Sequence, residues 1–339
     1  MTDKNKLKIT SRVRLARNID MFNFPHKLDS TTARDLVERV EEAFFVSKTL
    51  AEDYRSRHLW KEKGLDLMYW FEKHLVSSKL IDNADIGAFI SNKAEEVSIM
   101  INEEDHLRLQ TMSAHKNLAE LYKEADRLDS VLEEKLSWAF DNQLGYLTAC
   151  PTNLGTALRA SVMVHLPALT YRDRIGLIAQ KLAQMGMTIR GIYGEGSQAE
   201  GCIYQISNEV TLGISEKFIV DNIEETIDSI LALEVAEQNK LLSARGDETR
   251  DLIYRSLGII SHAHLMSSGE ALKHLSKVRL GVESEVITEL STADVDAMII
   301  GIQTGNLHRE LGLTELMLEK DRDLLRATVL RNEMKRRLI

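Results

Sequence analysis

The chain has 339 residues, with 43 Lys and Arg against 52 Asp and Glu, a net charge of −9, and 44% hydrophobic and 28% charged residues. These are the proportions of an ordinary globular protein with a sizeable core, and at roughly 100–200 residues per domain they imply two domains. No run of about 18 apolar residues exists to span a membrane, the start MTDKNKLKIT lacks the apolar stretch of a secretory signal, and so acidic a chain is a poor general binder of nucleic acid.

A cytoplasmic protein is therefore expected. Two cysteines, Cys150 and Cys202, are too few for a disulfide framework or a Cys-rich zinc site. Residues 1–215 mix helical and strand patterns. Ser30 or Thr31 is placed to cap a helix through RDLVERVEEAFF, whose apolar face is Leu36, Val37, Val40, Phe44 and Phe45. EEVSIMIN (95–102) alternates as a strand does and ends in Glu103-Glu104-Asp105. DRLDSVLEEKLSWAF (126–140) and RDRIGLIAQKLAQMG (172–186) carry helical spacing, the second closing at Gly186. MTIRGIY, CIYQISN and VTLGIS (187–193, 202–208, 210–215) read as three short strands. With no regular βαβ alternation, the fold class is α+β. From residue 216 the chain is almost wholly helical: 216–242, 248–260, 268–279 and 292–303 show i, i+3, i+4 patterns, and 314–337 is a highly charged helix.

The familiar nucleotide motifs are absent: there is no G-x-x-x-x-G-K-[ST], no H-R-D with D-F-G and no G-x-G-x-x-G. HAH (262–264) would point two ligands apart on a helix, so no metal site is expected. Four segments with arginines remain. Arg12 and Arg14, in SRVRLARN, lie at i, i+2 and would share one face of a strand, which suits a polyphosphate. Asn102-Glu103-Glu104-Asp105-His106-Leu107-Arg108 keeps three mutually repelling acids at a strand end. CPTNLGT (150–156), followed by Arg159, reads as a turn-rich loop feeding a helix. In Arg190-Gly191-Ile192-Tyr193-Gly194-Glu195-Gly196 the glycines would let a loop approach a ligand closely.

These segments, SRVRLARN, NEEDHLRLQ, CPTNLGTALRASV and RGIYGEGSQAEGCIYQISNEVTLGISE, closely resemble the phosphagen (guanidino) kinase family. The resemblance covers about residues 8–230. It implies a phosphagen-kinase-like catalytic domain over 1–230, an antiparallel sheet flanked by helices, followed by an all-α domain over 231–339. No counterpart of the small helical N-terminal domain of the animal members is expected. The C-terminal Asp321-Arg322-Asp323-Leu324-Leu325-Arg326-Ala327 instead looks like the bacterial branch that phosphorylates arginines in proteins.

The resemblance implies ATP as phosphoryl donor, with Mg²⁺, and assigns Glu104, Glu195 and Cys150 to catalysis. It implies ATP contacts from Ser11, Arg12, Val13, Arg14, Arg108, Arg159, Ala160, Ser161, Val162, Met163, Arg190, Gly191, Ile192, Tyr193, Gly194 and Glu195. His74 matches an upstream nucleotide-contacting histidine, with packing as its competing reading. Arg322, Asp323, Arg326 and Ala327 would form a regulatory phosphoarginine pocket, against the plainer reading of a solvated i, i+4 helix pattern. Protein substrates are implied, with a heat-shock repressor, an activator and an AAA+ protease as partners, and a homodimer built on the C-terminal helices. The alternatives are a kinase of free arginine or another small guanidino compound, and a non-catalytic phosphoarginine-binding adaptor.

Overall fold

The structure is a computed structural model and describes residues 4–192, 199–313 and 315–338. The chain divides into two compact units: Thr10–Ser161 with Ser207–Glu224, and Met1–Ile9 and Val162–Ile206 with Glu225–Ile339.

The first unit is built on β1 (Lys8–Arg17), β2 (Tyr54–His58), β3 (Ala88–Asn92), β4 (Val97–Ile101) and β5 (Leu107–Ser113), in the order β2-β3-β4-β5-β1. These four pairings are antiparallel. A two-stranded hairpin follows, β6 (Phe140–Asp141) with β7 (Gly145–Tyr146), and β8 (Leu158–His165) then lies beside β1. Five helices complete the unit: α1 (Ser30–Phe44), α2 (Lys48–Asp53), α3 (Gly64–Glu72), α4 (Ser78–Asp82) and α5 (Leu118–Glu133).

Helix α1 buries Leu36, Val37, Val40 and Phe44 as the periodicity predicts. Its cap is Asp29, not Ser30 or Thr31: the Asp29 carboxylate accepts the N–H groups of Thr31 and Thr32 at 3.0 Å. Helix α5 starts eight residues before its expected onset because Asn117 and Glu120 close a capping box there. It also stops early. Residues 137–139 leave the helix to pair with the start of the chain, Asp20 N–H donating to Ser137 O (2.8 Å) and Ala139 N–H to Asn18 O (2.7 Å). The loop 150–156 feeds strand β8 rather than a helix, since Leu158, Ala160, Val162 and Val164 alternate along a strand buried at every residue but Arg159.

In the second unit β8 is followed by β9 (Met187–Gly191) and β10 (Ile203–Asn208), in the order β8-β10-β9. The expected strand VTLGIS does not form. Gly213 has φ +78°, and Thr211 spends its hydrogen bonds on the 152–156 loop instead of a ladder. Helices α6 (Pro167–Tyr171), α7 (Ile175–Gln184), α8 (Glu216–Ala244), α9 (Gly246–His262), α10 (Ser268–Glu283), α11 (Thr292–Gly301), α12 (Thr304–Glu310) and α13 (Glu319–Leu338) account for the rest. Residue 230 lies inside α8. Ile253, Ile260, Leu275, Val278, Met298 and Leu330 belong to one core uniting α9, α10, α11 and α13. Inside it Arg279 is fully buried, paired with Glu283 and gripping Asp296 with Nε (2.7 Å) and Nη2 (3.0 Å).

Candidate active site

The phosphate-type arginines share a face because of strand register. Residues directly opposed in an antiparallel pair point the same way. Arg14 opposes Gln110 and Ala16 opposes Arg108, so Arg12, Arg14, Arg108 and Gln110 stand on one face of the β1–β5 pair. Ser11 and Val13 are buried on the opposite face. Arg159 joins from the start of β8, whereas Ala160, Ser161, Val162 and Met163 are buried along that strand.

Arg159 is held on three sides. Its Nε donates to Asn153 Oδ1 (3.1 Å), Nη1 to Asn208 O (2.7 Å) and Nη2 to Thr152 O (3.4 Å). A cleft of about 140 Å³ opens here, lined by Arg14, Glu103, Glu104, Arg108, Asn153 and Arg159 among others.

The electrostatics of this face are lopsided. Burial, and then the charges of Arg12, Arg108 and Arg159, push the Arg14 guanidinium well below its ordinary pKa, with only Glu103 opposing. Burial and Arg108 bring Arg12 down to about 10. Among the described residues Arg14 Nε is buried without a hydrogen-bond partner. Clustered cations with an orphaned donor make a site organised for an anion that is not protein.

His74 follows α3 with φ +58°, and its carbonyl accepts Gln110 Nε2 at 2.6 Å, which seats it over the arginine face. Burial, with Arg12 and Arg14, lowers its pKa to about 4, so the imidazole is neutral at physiological pH.

The three adjacent acids divide their tasks. Glu103 is buried, and its carboxylate accepts from Arg108 Nη1 (2.5 Å) and Ser77 Oγ (2.5 Å). Burial pushes its pKa up, but Arg108, Ser77 and the Glu104 N–H outweigh that and leave it lowered. Asp105 is buried too, bonded to Asn18 Nδ2 (2.7 Å) and the Ala149 N–H (2.6 Å). Burial raises its pKa, and these two bonds offset the rise in part. All three line the cleft, but Glu104 alone of them is exposed, and its carboxylate takes no hydrogen bond from a described residue. The apparent repulsion in NEEDH is thus relieved by Arg108 and by Asn18 with Ala149, leaving one carboxylate for a ligand.

Cys150 opens the 150–156 loop, its Sγ 3.1 Å from Thr152 Oγ1. The same oxygen lies 3.4 Å from Arg159 Nη2. Gly155 (φ +99°) leaves no space for a side chain, since a Cβ there would stand 2.3 Å from Thr211 O. A Cβ on Gly145 (φ +72°), in the β6–β7 hairpin, would stand 2.4 Å from Gly155 O. Asn18, Asn153, Asn208 and Thr211 were not among the residues expected from sequence. Asn208 and Thr211 fall within SNEVTLG, but nothing local signals their long-range bonds. Arg17, the last arginine of SRVRLAR, is structural: it is buried on Asp129 (2.7 Å) beneath the Tyr146 ring.

Arg190 is exposed on β9 in the second unit. Gly191 there meets its own chain, an added Cβ standing 2.9 Å from Ala199 Cα, and Ile192 packs against the helical core. Tyr193, Gly194 and Glu195 lie outside the described residues.

On α13, Arg322 and Asp323 are half-buried. Arg326 is buried and donates to Ile302 O (3.0 Å), Met266 O (3.0 Å) and Asp323 Oδ1 (2.6 Å), and Ala327 is core. Arg322 Nη1 donates to Met317 O at 3.1 Å. This stretch is therefore not the solvated helix face of the plainer reading.

Residues 35–237 match the family described as ATP:guanido phosphotransferase, C-terminal catalytic domain, and residues 246–337 match the protein-arginine kinase McsB C-terminal domain. The chain is 44% identical to a protein-arginine kinase of Clostridium kluyveri over 328 residues, covering 97% of this chain and 94% of that one. It is 40% identical to a protein-arginine kinase of Geobacillus stearothermophilus, over 96% of this chain and 90% of that one. Among solved structures, a lombricine kinase superposes with a TM-score of 0.59 at 26% identity, over 69% of each chain. The duplicated taurocyamine kinase from Schistosoma mansoni, with bound transition state analog components, gives 0.62 at 28% identity, over 71% of this chain and 35% of that one.

Proposed function

The chain belongs to the ATP:guanido phosphotransferase family, and from that membership we propose that it transfers the γ-phosphoryl group of ATP to arginine side chains of proteins. One observation carries the reading: Arg14, whose buried Nε has no hydrogen-bond partner, and Glu104, whose carboxylate accepts no hydrogen bond, both among the described residues, line the same cleft. One wall suits polyphosphate; the other suits a guanidinium.

Phosphoryl transfer needs in-line positioning and cancellation of phosphate charge. Arg12, Arg14, Arg108 and Arg159 supply the countercharge, with Arg190 as the fifth arginine of the reading and His74 as a neutral neighbour of the nucleotide. Glu103 and Asp105 are committed to other partners, so Mg²⁺ would arrive with ATP and supply further charge cancellation instead of being held by these two carboxylates.

The acceptor is a delocalised cation of pKa above about 12 and a weak nucleophile. Glu104 and Glu195 grip the guanidinium and align one nitrogen with the γ-phosphorus, and one of the two carboxylates takes its proton. As the N–P bond forms, the bond from that phosphorus to the ADP oxygen breaks. Cys150 stands beside the guanidinium.

In the same reading residues 1–230 carry catalysis, and 231–339 serve dimerisation and regulation. Phosphoarginine joins an anionic phosphoryl to a guanidinium, and the half-buried Arg322 and Asp323 are adjacent groups of the complementary signs, Asp323 held by Arg326 and Arg322 by Met317 O, with Ala327 buried in the core. The proposed physiological role is cytoplasmic: marking proteins for an AAA+ protease under stress and acting on a heat-shock repressor, with an activator. Family resemblance supports that role. Among the described residues no helix is long and apolar enough to cross a membrane.

Incubation with MgATP and either a casein-like protein or free arginine, read by intact mass spectrometry, tests the activity. A gain of phosphoryl mass on the protein is expected. Transfer to free arginine alone would make the enzyme a small-guanidino kinase, and no transfer to either would end the kinase reading.

A further inference from the structure

Thr211 lies in the turn after β10 and is buried, although its neighbours Val210 and Leu212 are exposed. Its hydroxyl faces two carbonyls of the cysteine loop, Leu154 O at 2.7 Å and Thr152 O at 3.0 Å. Its own carbonyl accepts the N–H of Thr156 (3.0 Å) and the Thr156 hydroxyl (3.3 Å). Gly155 lies so close to Thr211 O that only a residue without Cβ fits between these bonds.

The two carbonyls that Thr211 holds bracket Asn153, whose Oδ1 orients Arg159 Nε. One of them belongs to Thr152, whose hydroxyl oxygen lies within reach of both Cys150 Sγ and Arg159 Nη2. A single buried hydroxyl therefore fixes the backbone between a donor-side arginine and the acceptor-side cysteine.

We propose that Thr211 is a positioning residue for phosphoryl transfer, setting the loop 150–156 so that the groups facing the nucleotide and the guanidinium are aligned together. It touches neither substrate. This inference rests on the kinase reading, and its test separates the two.

Thr211→Val keeps the shape and removes the hydroxyl. Its kcat for protein-arginine phosphorylation should fall about 10- to 100-fold, the scale of a small misplacement of reacting groups, with KM for ATP and for the protein unchanged. Thr211→Ser should restore kcat. A Val variant with wild-type kcat overturns the proposal, and so does a Ser variant as slow as Val, which would make the methyl group the important part. If Thr211→Val does not fold, Thr211→Ala is measured in the same way.

The second readout is the rate of iodoacetamide alkylation at Cys150, followed by peptide mapping, which requires no turnover. It should change in Thr211→Val and return in Thr211→Ser. Should the wild-type protein phosphorylate nothing, the kinase reading fails. A changed alkylation rate would then still uphold the hold of Thr211 on the loop, and identical rates would overturn it.

Discussion

The Asp105 carboxylate accepts the backbone N–H of Ala149 at 2.6 Å, so the residue after Glu104 is bonded to the residue before Cys150. The two acceptor-side groups are thereby set relative to one another by one buried acid. Asp105→Ala leaves the Ala149 N–H and one of the two Asn18 amide N–H groups without an acceptor, the other still donating to Leu147 O, at about 1–3 kcal/mol. Urea denaturation should show that loss, with kcat reduced and ATP affinity retained. Wild-type stability would mean that water replaces the carboxylate.

Glu103 and Glu104 should behave oppositely. Glu104→Gln is expected to leave stability within about 0.5 kcal/mol, because the side chain is exposed, while transfer falls by about 10²–10⁴. Glu103→Gln removes the ionised partner of Arg108 and should destabilise by about 1–3 kcal/mol. Denaturation curves and initial rates on the two variants decide the matter, and a fully active Glu104→Gln enzyme removes Glu104 from the mechanism.

Arg14 is disfavoured by its surroundings until an anion arrives. Arg14→Met should therefore leave the ligand-free protein at least as stable as wild type. MgATP at 100 times its Kd should protect the wild type by about 2.7 kcal/mol and the variant far less. Thermal unfolding with and without nucleotide measures both, and equal protection would place the phosphates elsewhere.

His74 gives a pH signature. Its pKa falls from 6.5 to about 4 on folding, so between those values the unfolded chain binds the extra proton. The contribution of neutral His74 is intact above pH 6.5. It declines by up to about 1.4 kcal/mol per pH unit as pH falls toward 4. His74→Asn tolerates the positive φ and should flatten the stability profile in that window, measured by denaturation at successive pH values. Parallel profiles would show that His74 titrates normally.

Arg326 and Asp323 can be separated. Arg326→Ala strips donors from two buried carbonyls and from Asp323, and should destabilise by about 3–5 kcal/mol. Asp323→Ala should cost less and abolish phosphoarginine binding in calorimetry. Unchanged binding would dismiss the regulatory pocket.

Much of the arginine face was legible because strand alternation is local: Arg12 and Arg14 at i, i+2 must share a side. Register is not local. That Gln110 opposes Arg14, and so carries His74 over the same face, follows only from the β1–β5 pairing. On pattern alone NEEDH read as three equivalent acids, and only the family resemblance singled out Glu104, because the partners that separate them, Ser77, Asn18 and Ala149, are remote in sequence. The helix errors have the same origin. Residues 134–140 have helical spacing, but bonds to Asn18 and Asp20 outcompete it, and VTLGIS has strand composition, but Thr211 is committed to the loop.

The stacking of Gly145 on Gly155, and of Gly155 on Thr211, bears on any attempt to redesign the acceptor. The loop 150–156 is not a cassette. A graft from a relative would have to bring the tip of the β6–β7 hairpin and the turn after β10 with it, three stretches exchanged together, because each occupies the volume in which a neighbour's side chain would have to fit.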